Sequence, residues 1–430
     1  MMKKYILAGA MLAAGLASQA QNVNKLIDQK DVERIIATLS DDNMQGRAIF
    51  TPGIDKAAKF IEGEFTKIGL QPLAGESGFR QNIPMKRTIP GKTTVNINMS
   101  SVPSANAYAI ANTSFSWSND ADVQVIKETA DKNYQQDMRA IMMSGKKTLV
   151  LLDPAFETQF KAGRERAMNG NSRPGAQPIV FVLGKIDDNI RSFEVSCNIK
   201  SEDVPLFNVA GMIPGKSKPD EFVVFSGHYD HLGVKPGMKP DSIYNGADDD
   251  ASGTTAVIEL AKYYKKLNNN ERTLIFVAFT GEESGGYGAR HFTTTVNADK
   301  VVAMFNIEMI GKPSKWGQNS AFITGYERSD FGQILQKNLE GTDFKFYPDP
   351  YTKENLFYRS DNATLARLGV PAHTISTDQI DIDPDYHKVT DELKTLDVAN
   401  ITAAIRAIAL SSRTIVSGKD TPTRVAKLER

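Results

Sequence analysis

The sequence from Gly227 to Gly253 reads GHYDHLGVKPGMKPDSIYNGADDDASG. It follows an apolar run at 221–226 that is typical of a buried strand, and it leads into a helical pattern at 254–264. One imidazole, His228, is therefore predicted at the carboxyl end of a strand. Three carboxylates, Asp248 to Asp250, are predicted where a helix begins. The stretch predicts a strand, a loop and a helix in that order.

Three consecutive carboxylates repel one another unless positive charge lies nearby. On its own such a run is more often a solvated acidic turn, so a metal site needs further ligands. A helix N-terminus supplies only about half a charge, whereas a divalent cation supplies more and accepts both imidazole and carboxylate ligands. The single cysteine, Cys197, excludes a thiolate-rich site and an internal disulfide. Any metal is therefore expected to bind His, Asp and Glu.

After Pro205 the pattern of strand, loop and helix repeats. Nearly continuous apolar runs predict strands that are buried on both faces of a mostly parallel sheet, at Phe222–Phe225, Leu274–Phe279, Val301–Ile307 and Ala372–Ile375. Helical spacing is found at 31–39, 55–68, 254–266, 285–295, 330–339, 361–368 and 395–412. The expected fold is α/β, with a mostly parallel sheet flanked by helices.

In open α/β sheets, ligands bind beyond the carboxyl ends of the strands. The residues predicted at that edge share the chemistry of metal ligands or bases: His228, Asp230, Asp248, Glu282, Glu283, Glu308 and His387. This many nitrogen and oxygen donors suits two Zn²⁺-class ions about 3.5–4 Å apart that share a carboxylate and activate a water. The Glu282–Glu283 pair offers one ligand and one free base.

These residues belong to motifs that resemble peptidase family M28, the zinc metallopeptidases of the secreted bacterial aminopeptidase type. The matching segments are GHYDHLG at 227–233, NGADDDASG at 245–253, FTGEES at 279–284, NIEMIG at 306–311 and YHKVTD at 386–391. The segments LSDDNMQGR at 39–47, SDN at 360–362 and LGVPA at 368–372 are also similar to the family. The resemblance covers residues 28–75 and 205–415.

The resemblance implies a role for each candidate residue. Asp248 would bridge two zinc ions, of which His228 and Glu308 complete one site and Glu283 and His387 the other. Glu282 would be the general base and acid. Asp230 would orient His228 through its second ring nitrogen. The bond between Asp248 and Asp249 would be cis, as is frequent in this family.

The motif at 360–362 and a nearby tyrosine suggest substrate contacts. Ser360, Asp361 and Tyr358 are the candidates, although Asn362 replaces the histidine that many members have there. Glu308 likewise replaces the more common aspartate. An aromatic group, Tyr347, Tyr351, Phe357 and Tyr358, is equally consistent with a side-chain pocket and with loop packing.

The remaining histidines have less specific interpretations. His231, three residues after His228, is expected at the rim of the site and not as a ligand. His291 is expected at the surface of a helix, and His373, inside a predicted strand, is expected to be a hydrogen-bonded core residue.

The predicted function is that of a di-zinc aminopeptidase that removes N-terminal residues from peptides with a free N-terminus. Two alternatives use the same fold. Glutaminyl-peptide cyclases bind one zinc and usually replace the second aspartate of the Asp-Asp pair, which is intact here at Asp248–Asp249. Receptor-like relatives have lost ligands, whereas this chain retains the whole set.

Residues 81–200 contain no histidine and alternate short β-rich pieces with Gly, Pro, Asn and Ser. Strands are expected at 123–126, 148–152 and 178–183. This part is interpreted as an inserted mixed α/β domain, located where some family members carry a protease-associated insert. Residues 21–80 and 201–430 would then form a discontinuous catalytic domain.

The N-terminus combines basic residues at 1–4, an apolar run at 5–17 and small residues at positions 18 and 20. This pattern predicts a cleaved export signal at 1–20, a mature start at Gln21, no membrane span in the mature chain, and a periplasmic or secreted location. With 51 basic and 51 acidic residues the net charge is zero, which gives no indication of nucleic-acid binding.

Overall fold

The computed structural model describes residues 23–119, 122–168, 177–185 and 189–428. These residues form two compact units, one before Pro84 and after Pro205, and the other between them. The inserted domain predicted at 81–200 overlaps the second unit. The predicted export signal at 1–20 and the mature start at Gln21 lie outside the described residues. Among the residues described, no helix has the length and apolar character needed to cross a membrane.

The described residues of the larger unit form a sheet of eight strands and a separate two-stranded pair, Gly233–Val234 with Ile243–Tyr244. The eight strands are labelled β1 to β8. Along the chain they are β1 Arg80–Asn82, β2 Phe207–Ile213, β3 Lys218–His228, β4 Arg272–Phe279, β5 Val301–Ile307, β6 Ser320–Ile323, β7 Lys345–Pro348 and β8 Ala372–Ser376. The spatial order is β1-β2-β4-β3-β5-β8-β6-β7. The four central strands β4, β3, β5 and β8 are parallel, and antiparallel pairs flank them on both sides.

The four central strands are those that the apolar runs predict, and the predicted mostly parallel sheet is confirmed. Alternate residues of β3 pack on opposite faces: Val223 and Phe225 join one apolar core, and Val224 joins another. Phe225 stacks on Phe276 and Phe305 of the neighbouring strands, with ring centroids 5.4 and 4.9 Å apart. Strands buried on both faces require this continuous apolar sequence.

Helices cover both faces of the sheet, as predicted. They are α1 Gln29–Leu39, α2 Pro52–Ile68, α3 Gly253–Leu267, α4 Tyr287–Thr295, α5 Phe331–Asn338, α6 Asn362–Ala366, α7 Val398–Ser411 and α8 Arg413–Val416. Helices α4 and α6 contribute to the core that contains Val224, and the others contribute to the core that contains Phe225. Strands β2, β6 and β7 are missing from the sequence prediction because they are short or flanked by polar residues.

The smaller unit contains two four-stranded sheets. Its strands are Lys86–Ile97, Ser100–Ser101, Ala107–Ile110, Phe115–Trp117, Gln124–Glu128, Thr148–Leu152, Ile179–Leu183 and Phe193–Asp203, and its helices are Tyr134–Met143 and Glu157–Met168. The three predicted strands are neighbours in one sheet, where they run parallel. The other sheet is antiparallel and centres on the pairing of Lys86–Ile97 with Phe193–Asp203.

Candidate metal centre

The carboxyl ends of the parallel strands bring the candidate residues together, as the sequence predicts. Strand β3 ends at His228, and the turn Ala247–Ser252 leads from the following loop into α3. Asp249 and Asp250 leave helical backbone angles inside this turn. The three consecutive aspartates therefore present their side chains to different partners.

Asp249 is the carboxylate that lies between two imidazoles. Its Oδ1 is 3.1 Å from Nε2 of His228, and its Oδ2 is 3.1 Å from Nε2 of His387. Burial alone would raise the pKa of Asp249, but the adjacent imidazoles hold it well below its usual range. One carboxylate thus presents one oxygen to each of two nitrogen donors.

The sequence assigned this bridging position to Asp248, and the structure corrects that assignment by one residue. Oδ1 of Asp248 accepts hydrogen bonds from the backbone N–H of Gly311, at 2.6 Å, and from the hydroxyl of Ser252, at 3.1 Å. The cis peptide bond correspondingly joins Asp249 and Asp250, and not Asp248 and Asp249.

Two residues distant in the sequence fix this register. The carboxylate of Asp391 accepts the N–H of Asp248 at 2.8 Å and the N–H of Asp249 at 3.1 Å. The guanidinium of Arg47, with none of its surface exposed, donates to five backbone carbonyls, those of Leu39, Tyr229, Asn245, Gly246 and Asp249. The turn is therefore held from both sides, and these contacts decide which aspartate faces the imidazoles.

Asp250 connects the turn to two strand ends. Its carboxylate accepts the N–H groups of His228 at 3.0 Å, Gly253 at 3.0 Å and Met309 at 3.1 Å. It is fully buried, and burial raises its pKa well above the usual value. Asp250 therefore has a structural part in the site, and it joins β3, α3 and the residues after β5.

The adjacent glutamates after β4 have separate contacts. Glu283 lies with Oε2 3.3 Å from Nε2 of His387 and with Oε1 2.8 Å from Nδ1 of His231. Glu282 instead lines a cavity together with Asp249, Glu308 and His387. Burial raises the pKa of Glu282 well above its usual value, and the neighbouring acids add to this increase. A carboxyl group that is free to exchange a proton thus faces the cavity.

Asp230 acts through different atoms from those predicted. Nδ1 of His228 lies 3.1 Å from the backbone carbonyl of Asp230 and 3.7 Å from its carboxylate. Because the carbonyl can only accept, Nδ1 carries the proton, and Nε2 keeps its lone pair toward Asp249. The carboxylate of Asp230 accepts the N–H of Glu282 at 3.1 Å, so it positions the chain of the proposed base.

Glu308 and Ser360 form one polar group with Asn306. The amide nitrogen of Asn306 lies 2.7 Å from the Ser360 hydroxyl oxygen and 3.4 Å from Oε2 of Glu308. Burial raises the pKa of Glu308, and a hydrogen bond with Ser360 opposes the increase. Ser360 is therefore placed to orient Glu308, and it is not among the residues that line the cavity.

The other substrate candidates also lie away from the cavity lining. Asp361 is 2% exposed, and both of its carboxylate oxygens lack a hydrogen-bond partner. Tyr358 packs its ring against the guanidinium groups of Arg328 and Arg367, at 5.4 and 5.3 Å. The four aromatic residues that were predicted to form either a pocket or a packed loop are not among the residues that line this cavity. They are Tyr347, Tyr351, Phe357 and Tyr358. The lining residues beyond the polar ones already described include Met309, Phe322, Leu356, Ile380 and Tyr386.

His231 was expected at the rim, and the structure shows that this expectation is wrong. The residue is 2% exposed, and its Nδ1 lies 3.9 Å from Oδ2 of Asp249 in addition to its contact with Glu283. Its ring packs against Gly246, where a Cβ atom would lie 2.6 Å from the ring, so only glycine leaves room for it. His373 is confirmed as a core histidine, bonded to the Thr324 carbonyl and the Ser329 hydroxyl, both at 2.8 Å.

The donors fit zinc-class cations. Three imidazoles and several carboxylates converge, and His231, Asp249 and Glu283 each offer a ligand atom within 4.8 Å of the others. Buried atoms in this group, including Nε2 of His228 and Nε2 of His231, have no hydrogen-bond partner. Buried acceptors that face other acceptors are costly unless a cation lies between them. A set of imidazole and carboxylate ligands without thiolates suits Zn²⁺.

The fold is shared with solved aminopeptidases. An aminopeptidase from Aneurinibacillus sp. strain AM-1 superposes with a TM-score of 0.55 at 15% identity, over 95% of this chain and 97% of that chain. BSAP, a zinc aminopeptidase from Bacillus subtilis, superposes with a TM-score of 0.55 at 16% identity, over 94% of this chain and 99% of that chain. The larger unit therefore has the zinc aminopeptidase type of α/β fold.

Part of the sequence is similar to a known family of peptidases. Residues 208–411 match the model of peptidase family M28. A probable zinc metalloprotease of Leptosphaeria maculans is 36% identical over 110 residues, which are 25% of this chain and 25% of that relative. The matched segment thus spans about a quarter of the length of this curated relative. The sequence match to peptidase family M28 is therefore confined to residues 208–411.

Proposed function

We propose that the chain is a zinc-dependent aminopeptidase that binds two zinc ions. The observation that carries this proposal is the position of Asp249, whose two carboxylate oxygens each lie 3.1 Å from a different imidazole. A carboxylate in this position can serve two cations at once. The superposed structures are aminopeptidases, which supports the same proposal.

The two metal positions follow from the donors around Asp249. His228 and Glu308 would complete one position, and Glu283 and His387 would complete the other. When bound, such ions polarise a peptide carbonyl and lower the pKa of an attacking water toward about 7. The chain's own residues then hold the ligands in place: the Asp230 carbonyl fixes the ring of His228, and His231 fixes Glu283.

Glu282 would act as the general base and acid. It faces the cavity beside Asp249 and His387, and burial raises its pKa, which suits a group that takes and returns a proton. It would take the proton of the attacking water and deliver it to the amine that leaves. The backbone N–H of Glu282 donates a hydrogen bond to the carboxylate of Asp230. This contact would hold Glu282 in place during both proton transfers.

The cavity would receive the N-terminal side chain of a peptide. Its walls include Met309, Phe322, Leu356, Ile380 and Tyr386, so an apolar or aromatic side chain would bury the most apolar surface there. The free α-amine would lie near the carboxylates at the cavity mouth. From the N-terminal sequence we further propose that the chain is exported and acts in the periplasm or outside the cell.

The bridging position of Asp249 favours two metals over the single zinc of a cyclase. The relevant aspartate pair is Asp249–Asp250, one residue later than the sequence suggested, and it too is intact. The ligand set is also complete, in contrast to a receptor-like relative. We therefore retain hydrolysis of N-terminal peptide bonds as the proposed reaction.

The direct test is turnover of aminoacyl-nitroanilides by the full chain loaded with zinc. We expect cleavage of a leucyl substrate, loss of cleavage with a chelator, and recovery on addition of zinc. An N-terminally acetylated leucyl substrate is the matched control and should not be cleaved. Cleavage of the acetylated substrate at the same rate would contradict an aminopeptidase, and cleavage that survives chelation would contradict zinc dependence.

A further inference from the structure

A second group of carboxylates lies beside the proposed zinc site and takes no part in the chemistry described above. Asp248, Asp378 and Asp383 each offer a carboxylate oxygen within 4.8 Å of the others. Asp248 is 1% exposed, Asp378 is 3% exposed, and the side chain of Asp383 is 2% exposed. The three side chains are therefore largely buried, and Asp378 also lines the cavity beside Glu282 and His387.

Several oxygens in this group have no partner. Both carboxylate oxygens of Asp378, Oδ2 of Asp248 and Oδ2 of Asp383 make no hydrogen bond. Asp378 points most clearly to a missing ligand, because both of its carboxylate oxygens lack a partner although the residue is only 3% exposed. Its carboxylate points at two other acids, an arrangement that is unfavourable when all three are charged.

One lysine lies next to the group but does not neutralise it. Nζ of Lys312 contacts Oδ1 of Asp383, and it also lies 2.9 Å from Oδ2 of Asp385. Four carboxylates thus share one ammonium group. Asp385 holds Lys312 independently of Asp383, so the remaining oxygen of Asp383 stays available.

Either a proton or a cation must reduce the repulsion. Without a cation, burial raises the pKa of Asp378 to about 8, and the neighbouring Asp383 adds to the increase, so Asp378 would be largely protonated at pH 7. A proton shared between two carboxylates would, however, satisfy only two of the four unpartnered oxygens. A multivalent cation can accept all of them as ligands.

We propose that Asp248, Asp378 and Asp383 bind a hard divalent cation of the Ca²⁺ class. The group contains oxygen donors and neither imidazole nor thiolate, which favours Ca²⁺ over Zn²⁺. The site would join the turn that presents Asp249 to the segment that leads to His387. Its role would be to stabilise the fold around the turn, since none of the three acids contacts an imidazole of the proposed zinc site.

The test uses the zinc-loaded full chain, with Ca²⁺ as the probe. We expect about one Ca²⁺ per chain after gel filtration, measured by elemental analysis, and a rise in Tm of several degrees as Ca²⁺ is added. Asp378→Asn keeps the shape of the side chain, and it should weaken Ca²⁺ binding about tenfold or more. Asp381→Asn is the matched control, because Asp381 is exposed on the same segment and should leave binding unchanged.

Three results would overturn the proposal. Wild-type protein that neither retains Ca²⁺ nor shifts its Tm has no such site. Equal Ca²⁺ binding by Asp378→Asn places the ion elsewhere. A higher Tm for Asp378→Asn without added Ca²⁺, combined with no response of wild-type protein to Ca²⁺, identifies a protonated acid pair. If Asp378→Asn does not fold, Asp383→Asn is measured against the same control. Because the readout is Ca²⁺ binding, the result is separable from peptidase activity.

Discussion

Two groups of buried carboxylates share the turn Ala247–Ser252, and they differ in what surrounds them. Asp249 faces His228 and His387 through its two oxygens. Asp248, the preceding residue, faces Asp378 and Asp383, with no imidazole among these three. Identical side chains at adjacent positions thus enter environments with different chemistry.

The difference shows that metal preference is set by the neighbours of an aspartate and not by the aspartate itself. Imidazole nitrogens next to Asp249 favour a zinc-class ion, whereas the all-oxygen surroundings of Asp248 favour a harder ion. The turn backbone keeps the two groups apart, because Asp391 and Arg47 fix it from separate sides.

The largest expected effect is on turnover and belongs to the Asp249 group. Glu282→Gln should lower kcat about 10²–10⁴-fold, because an amide cannot take the proton of water. Zinc content should stay at the wild-type value, since Glu282 is not among the proposed ligands. Steady-state kinetics and elemental analysis measure both quantities, and Glu340→Gln, at an exposed position, is the control. Near-normal kcat would remove Glu282 from the proposed role.

The second effect tests whether the turn separates the two groups. Arg47→Met should lower the free energy of unfolding by about 3 kcal/mol, because it leaves several buried carbonyls without a donor. It should also weaken zinc binding, since Asp249 loses its fixed orientation. Urea denaturation and zinc titration are the measurements, with Arg139→Met as the exposed control. Unchanged zinc affinity in a less stable variant would show that Arg47 only stabilises the fold.

The third effect concerns the histidine that orients a zinc ligand. His231→Leu removes the nitrogen that lies 2.8 Å from Glu283, and it should weaken zinc binding about 10–100-fold. His231→Asn can place an amide nitrogen near the same position and should restore part of the affinity. Competition with a chelator measures both variants. Equal affinity of His231→Leu and wild-type protein would show that Glu283 needs no such partner.

The sheet could be predicted from the sequence because the central strands are buried on both faces and are therefore continuously apolar. The same reasoning placed His228, Glu282, Glu283, Glu308 and His387 at one sheet edge. Strands β6 and β7, with four residues each, are too short to show such a pattern. The strand Lys86–Ile97 of the smaller unit was missed because Pro90 and Gly91, which are unfavourable inside a strand, interrupt it.

The identity of the bridging aspartate could not be predicted, because three equal residues in a row contain no local information about direction. The deciding contact comes from Asp391, which is 143 residues from Asp248 in the sequence. His231 was misplaced for a related reason: its burial depends on the absent side chain of Gly246. The part that Arg47 has in fixing the turn was not predicted either. The one indication in the sequence was its position directly after Gly46, in a segment that resembles the family.

The most direct test of the central claim compares two adjacent substitutions of the same kind. Zinc per chain is measured by elemental analysis in Asp249→Asn and Asp248→Asn, after circular dichroism shows that both variants are folded. We expect Asp249→Asn to retain fewer than the about two zinc ions of the wild-type chain, and Asp248→Asn to retain both. Loss of zinc from Asp248→Asn, with full zinc in Asp249→Asn, would contradict the account.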